Sequence, residues 1–180
     1  MNIAVYCSSR QGLSSDIEAT ALALGQWIGT NGHTLVYGGV NAGLMHTVAQ
    51  ASHDAGAHVV GVVPEYFMHR LDNVVDEVIE TRDLNDRKDE MYHRSDAFVV
   101  LPGGIGTIDE WIATLSQITV DGSSRRIVVM NLDGMYDKMI EQLQITEESP
   151  FARVKGMTEI SIIATTIHEM LQSLEDIEQL

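Results

Sequence analysis

Positive charge is scarce in this chain. Eleven Lys and Arg stand against 26 Asp and Glu, a formal net charge of −15 over 180 residues. That balance argues against DNA or RNA as a partner, because a phosphate backbone is bound chiefly by Lys and Arg. It argues equally against an anionic membrane surface. Any phosphate bound here must be met by a few locally concentrated cations, so each Arg and Lys position is informative. Cysteine is scarcer still. Cys7 stands alone, which excludes an internal disulfide and fits a reducing cytoplasm. No long apolar run follows the start Met1-Asn2-Ile3-Ala4-Val5-Tyr6, so neither a signal peptide nor a membrane span is indicated, and the expected location is cytoplasmic.

Several familiar motifs are missing too. The segment Gly38-Gly39-Val40-Asn41-Ala42-Gly43 fails the dinucleotide fingerprint G-x-G-x-x-G, because Val40 occupies the second glycine position. No G-x-x-x-x-G-K-[ST] occurs, which excludes a P-loop NTPase. The seven histidines, His33, His46, His53, His58, His69, His93 and His168, show no zinc-site spacing with supporting Cys or carboxylates, so no metal is expected. His46 is set apart by its place beside the second glycine loop. Cys7, Ser8 and Ser9 end a predicted strand without an assignable His or Asp partner. Hydrogen bonding to a ligand suits Ser8 or Ser9 better than nucleophilic attack, and Cys7 suits packing.

What remains is an alternation of apolar strands and amphipathic helices. Strands are expected over 3–7, 34–37, 58–63, 74–79, 97–101, 126–131 and 159–163. Helices are expected over 14–28, 43–55, 84–95, 107–119, 136–143 and 166–174, with a polar, irregular stretch after Pro64. Because most of the strands are continuously apolar, the pattern is that of an α/β protein, one domain over 1–180, with a mainly parallel sheet of about six or seven strands covered by helices on both faces. Ligands of such sheets bind at the carboxyl ends of strands. Three loops leave such ends: Cys7 to Arg10, Gly38 to Gly43, and Pro102 to Thr107.

The last loop, Leu101-Pro102-Gly103-Gly104-Ile105-Gly106-Thr107-Ile108-Asp109-Glu110, is the most informative. Glycines admit a ligand close to the backbone, and a helix N-terminus offers free N–H groups and a positive dipole to an anion. A carboxylate beside a phosphate cradle would repel the phosphate, so Glu110 is expected to act on another part of a phosphorylated ligand. Arg87 and Lys88, adjacent in a charged helix, point about 100° apart and do not share a face. From spacing alone, a solvated charged face and a functional pair are both open readings.

Three segments together resemble one family. Pro102-Gly103-Gly104-Ile105-Gly106-Thr107-Ile108-Asp109-Glu110 looks like the signature P-G-G-x-G-T-x-x-E, with Arg87-Lys88 upstream matching its R-K pair. Tyr37-Gly38-Gly39-Val40-Asn41-Ala42-Gly43-Leu44-Met45 looks like its earlier G-G-G-x-x-G-L-M-G loop. The family is that of the Lonely Guy cytokinin riboside 5′-monophosphate phosphoribohydrolases, often mislabelled lysine decarboxylases. The resemblance implies a modified Rossmann fold, three-layered, and a homodimer with the active site near its interface. It implies hydrolysis of the N-glycosidic bond of AMP-type nucleotides, plain or N6-modified, to a free base and ribose 5-phosphate, with no cofactor. By matching position, Arg87 and Glu110 would be the catalytic pair. Gly38, Gly39, Lys88, Gly103, Gly104, Gly106 and Thr107 would hold the nucleotide, and Ser116 would align with a further contact; Ser8, at the end of the first strand, joins the expected ligand contacts from its place in the chain. The chain departs from the family at Val40 and His46, where glycines are usual, and at Leu84-Asn85, where Met-His is commoner. The alternative is a non-catalytic carrier of a phosphorylated ligand, like the molybdenum cofactor carriers. The pairing of Arg87 with Glu110 favours the enzyme, since an anion carrier gains little from a carboxylate there. Pyridoxal-phosphate decarboxylation would need a Schiff-base lysine, and neither Lys138 nor Lys155 falls at a predicted strand end.

Overall fold

A computed structural model describes residues 1–152 and 156–180. Seven parallel strands form one sheet: β1 (Asn2–Tyr6), β2 (Thr34–Tyr37), β3 (His58–Pro64), β4 (Glu77–Thr81), β5 (Ala97–Val100), β6 (Ile127–Met130) and β7 (Ser161–Ala164). Their spatial order is β4-β3-β2-β1-β5-β6-β7. The helices are α1 (Ser15–Thr30), α2 (Gly43–Asp54), α3 (Leu84–His93), α4 (Ile105–Asp121), α5 (Asp137–Glu148), α6 (Met157–Ile160) and α7 (Ile167–Glu178). No helix among the described residues is long and apolar enough to cross a membrane.

Alternation along each strand divides the core in two. Ile3, Val5, Leu35, Val59, Val99 and Val128 meet α1, α2 and α7 through Leu24, Ile28, Leu44, Val48 and Met170. Ala4, Tyr6, Val36, Val60, Phe98 and Val129 meet α3 and α4 through Met91, Tyr92, Trp111, Leu115 and Ile118. Both faces of the sheet are therefore dry, which is why the strands read as continuous apolar runs rather than as alternating ones. The architecture is the expected three-layer α/β one.

Several boundaries move, among them the start of α4, from residue 107 to Ile105, and the end of α7, from residue 174 to Glu178. The fourth strand begins at Glu77, not at residue 74, because Val74 is drawn into the core as the chain climbs to the sheet and the ladder opens with Val60 beside Glu77. This edge strand carries exposed Glu77 and Glu80, and charge along an edge discourages further pairing. The stretch after Pro64, expected to be irregular, contains a 3-10 helix, Glu65–Arg70. Helix α5 runs on to Glu148, since nothing before Ser149-Pro150 stops it. Glu159 and Ile160 belong to the single turn α6, and the last strand starts at Ser161.

The chain moves outward from β1 to β2, β3 and β4, then crosses back to lay β5 on the other side of β1. The carboxyl ends of β1 and β5 thus form the switch point of the sheet, where connections diverge and leave a crevice. Two buried hydrogen bonds fix α4 over it, and a third ties the chain before α5 to the end of β5. The Tyr6 hydroxyl and Thr114 Oγ1 lie 2.9 Å apart, Trp111 Nε1 donates to Ser161 Oγ at 3.1 Å, and the Tyr136 hydroxyl donates to the Leu101 carbonyl at 2.9 Å.

Candidate functional site

The three loops singled out by the sequence meet at the switch point. Ser8 N–H donates to the Pro102 carbonyl at 3.2 Å, and Leu44 N–H donates to the Ser8 carbonyl at 3.0 Å. These bonds join the ends of β1, β2 and β5 around a cleft of about 360 Å³. Gly43 has φ +51°, and a Cβ there would stand 2.3 Å from the Arg10 carbonyl oxygen, so glycine lets the two loops close on each other.

Glu110 lies in the second turn of α4, on the face packed against the sheet. It is 8% exposed. A carboxylate this deep requires a partner, and Arg87 supplies it: its Nη2 donates to Glu110 Oε1. Arg87 reaches the cleft from α3, whose first turn is capped by Asp83 accepting from Asn85 and Asp86 N–H. The guanidinium passes over Gly38, where a Cβ would lie 3.1 Å from Arg87 Nη1 and 2.5 Å from Met45 Cε. Gly38 is therefore a clearance for the Met45 side chain first and the arginine second, a role the motif alone did not reveal.

Burial raises the Glu110 carboxyl above its ordinary value, and the charge and hydrogen bond of Arg87 oppose the rise without cancelling it. The same burial pushes the Cys7 thiol far up, and the Glu110 charge adds to it. Cys7 is packed and protonated, which removes it as a nucleophile.

The amino end of α4 forms the floor beside Glu110. Gly104 caps the helix without any side-chain bond, so the first N–H groups carry no side-chain acceptor. A Cβ built on Gly104 or Gly106 would meet nothing within 4 Å. Gly103 turns inward instead, 2.1 Å from Thr107 Oγ1 at its hypothetical Cβ. Ser8, Gly38, Arg87, Gly104, Gly106, Thr107 and Glu110 all line the cleft.

Four expected contacts are placed elsewhere. Gly39, at φ +67°, packs on Val63 and Gly61 of β3. Gly103 lies under Thr107. Lys88 turns away from Arg87 and pairs with Asp109, Nζ to Oδ2 2.7 Å, beside a separate depression between α3 and α4. Ser116 is on the exposed side of α4. Conversely, Arg10 and Met45, which lie in segments singled out by the sequence but were given no role, line the cleft, as does Phe67, which was not foreseen. Phe67 lies in the stretch read as polar and irregular, and no local signal marked it. Two of the departures, Val40 and His46, do not line the cleft, whereas a third, Leu84, does. Val40 is 5% exposed and bridges to Leu71, while His46 Nδ1 lies 2.9 Å from Oδ2 of the buried Asp72. Together with the Asp72 N–H on the Gly39 carbonyl, this pair ties the glycine loop to the segment bearing Phe67.

Among the described residues no group of three or more His, Cys, Asp or Glu converges in a metal-holding arrangement. Lys138 is exposed on α5, paired with Glu141 at 2.6 Å, and Lys155 lies outside the described residues. No described lysine lines the cleft.

Comparison with known proteins shows the family and the fold. A family model described as "Possible lysine decarboxylase" matches residues 45–174. A cytokinin riboside 5′-monophosphate phosphoribohydrolase of Arabidopsis thaliana, LOG4, is 36% identical over 97% of this chain and 81% of its own length. Its counterpart in Oryza sativa, LOG, is 34% identical over 97% of this chain and 72% of its own. Among solved structures, a molybdenum cofactor binding protein of Rippkaea orientalis superposes with a TM-score of 0.77 at 22% identity, covering 98% of this chain and 96% of that one. The molybdenum cofactor carrier of Chlamydomonas reinhardtii gives 0.78 at 20% identity, covering 99% and 98%. At those identities the carriers show the fold alone.

The burial of Glu110 has a measurable consequence. Its carboxyl should titrate, by carbon-detected NMR of the unliganded protein, with a midpoint above 4.5, the ordinary value for a glutamate. Stability tied to this group is full at pH below that ordinary value and is lost as pH rises through the raised midpoint. A midpoint at or below 4.5 would contradict the dominance of burial over the Arg87 pair.

Proposed function

The chain belongs to the Lonely Guy family of phosphoribohydrolases, and from that premise we propose that it hydrolyses the N-glycosidic bond of AMP-type nucleotides, N6-modified or plain. The observation that carries this reading is the buried Arg87–Glu110 pair beside an open helix N-terminus. An anion carrier would gain from the helix end and lose from the carboxylate. A glycosidase uses both, on different parts of one ligand.

In this reading the 5′-phosphate sits at the amino end of α4, over Gly104 and Gly106, where backbone can be approached. The ribose then lies against Glu110. Cleavage develops positive charge on the sugar ring, which a nearby carboxylate stabilises while it draws a proton from the attacking water. The net change is addition of water across the bond from C1′ to the base nitrogen: hydroxyl to the sugar, proton to the base. Arg87 stays cationic at any working pH, so it is no general acid. It orients Glu110 and favours its ionised form. The apolar walls, Met45, Phe67 and Leu84, suit a base with or without an apolar substituent, and size discrimination in such a pocket is modest. The protein's proposed setting is the reducing cytoplasm.

The proposal extends to a homodimer. Ile105, Ile112, Ser116 and Val120 fall along one stripe of α4, with Ile105 82% and Val120 72% exposed. A second copy on this stripe, next to the cleft, would bury it and bring Ser116 to an interface. Sedimentation should give twice the chain mass, and Val120→Glu should shift it toward the monomer. A native protein that sediments as a monomer at micromolar concentration would rule the dimer out.

The activity is tested by following free base and ribose 5-phosphate from AMP and from N6-isopentenyl-AMP. Both products should appear in equal amounts. Glu110→Ala should lower turnover by about 10²–10⁴-fold while AMP binding stays measurable. Unchanged turnover in that variant, or no base from either nucleotide with folded native protein, would refute the assignment.

A further inference from the structure

The cleft presents an imbalance of charge. Among the described residues two cations line it, Arg10 and Arg87. Arg87 is committed to Glu110, so that pair carries no net charge toward a ligand. Lys88, expected to help hold the nucleotide, is committed to Asp109 outside the cleft. A phosphate monoester brings close to two negative charges into a protein whose own net charge is −15, and a helix N-terminus offers only about half a positive charge. A further cation is required, and Arg10 is the one in place. Among the described residues its guanidinium makes no hydrogen bond and no ion pair, unlike those of Arg82, Arg87, Arg94 and Arg125.

The backbone carrying Arg10 is tightly held. Its N–H donates to Ser8 Oγ at 3.1 Å. Its carbonyl packs against Gly43, in the contact that a Cβ there would obstruct. Ser8, two residues back, bonds to both neighbouring loops. The result is an exposed, unengaged guanidinium on a fixed stem at the rim of the cleft. A guanidinium suits a phosphate better than an ammonium does, because its planar donors engage two oxygens at once.

We propose that Arg10 is the phosphate-selecting residue of this cleft, clamping the 5′-phosphate of the nucleotide against the amino end of α4 and so setting the preference for nucleotides over nucleosides. The inference rests on the phosphoribohydrolase reading for its ligand, and its test is one of binding, so that it can fail separately from the hydrolysis itself. Affinities for AMP and for adenosine are measured by calorimetry, with millimolar titration for the weaker ligand, on native protein, Arg10→Ala and Arg10→Lys. In Arg10→Ala the affinity for AMP should fall between about tenfold and a hundredfold, the range of a lost charge-assisted contact. The preference for AMP over adenosine should fall with it, and Arg10→Lys should recover part of both. Raised salt should weaken AMP binding less in Arg10→Ala than in the native protein. Equal loss of AMP and adenosine, no loss of either, or native protein that binds AMP no better than adenosine would each overturn the assignment. Base release by native protein together with any of these results would leave the hydrolase standing without its proposed anchor.

Discussion

The buried ion pair between Arg87 and Glu110 is the constraint on which the rest of the site depends. Moving either charge out of water costs several kcal/mol, and mutual attraction repays that only when geometry and remaining hydrogen bonds are good. A hydrophobic pair would hold α3 against α4 as well. The charged pair therefore asks for an explanation in chemistry, and the proposed glycosidic hydrolysis supplies one: burial raises the carboxyl above its ordinary value, and the arginine opposes that rise in favour of the ionised form. Other features follow from housing this pair. Gly38 gives the guanidinium room, the uncapped end of α4 stays open, and the Tyr6–Thr114 and Trp111–Ser161 bonds hold Glu110's helix in place on the sheet.

The sheet order turns this local arrangement into a binding cleft. With β5 beside β1 rather than beside β4, the loops after β1 and β5 diverge, and the loop after β2 closes the third side. Backbone bonds from Ser8 to Pro102 and to Leu44 make the three loops one rigid frame. On the proposed reading, the side chains needed for chemistry come from the helices α3 and α4, whose positions are set by two dry cores, while the loops present backbone and the free guanidinium of Arg10. The proposed division of labour would keep the reacting groups on stiff elements and leave the rim to choose the ligand.

Much of this was legible in the sequence. Mostly apolar strands separated by amphipathic helices announced a parallel sheet covered on both faces, and the run from Leu101 to Glu110 announced a glycine turn leading into a helix with a carboxylate in its first turns; that the carboxylate is buried is a tertiary fact. Strand β4 was harder, because the apolar pair Val74-Val75 belongs to the core without belonging to the ladder. The fate of Arg87 and Lys88 could not be read from spacing. Adjacent positions on a helix diverge, but which one turns inward depends on where α4 packs, and that is a tertiary fact. Phe67 was missed, and Arg10 was given no role within its candidate loop, for a similar reason. Each sits in a loop or a short 3-10 turn without periodicity, and only folding brings them to the cleft. Val40 and His46 looked like intrusions into a ligand loop, yet the structure turns them to Leu71 and Asp72, away from the ligand space.

The central claim is that Arg87 and Glu110 act as one unit in turnover. A double-mutant cycle tests it most directly: rates of base release from AMP for native protein, Arg87→Ala, Glu110→Ala and the combined variant, with AMP affinity measured for each. Residues that work as a unit are strongly non-additive. The account predicts that the combined variant is no slower than the worse single variant. Losses that multiply, with each residue contributing independently of the other, would contradict it.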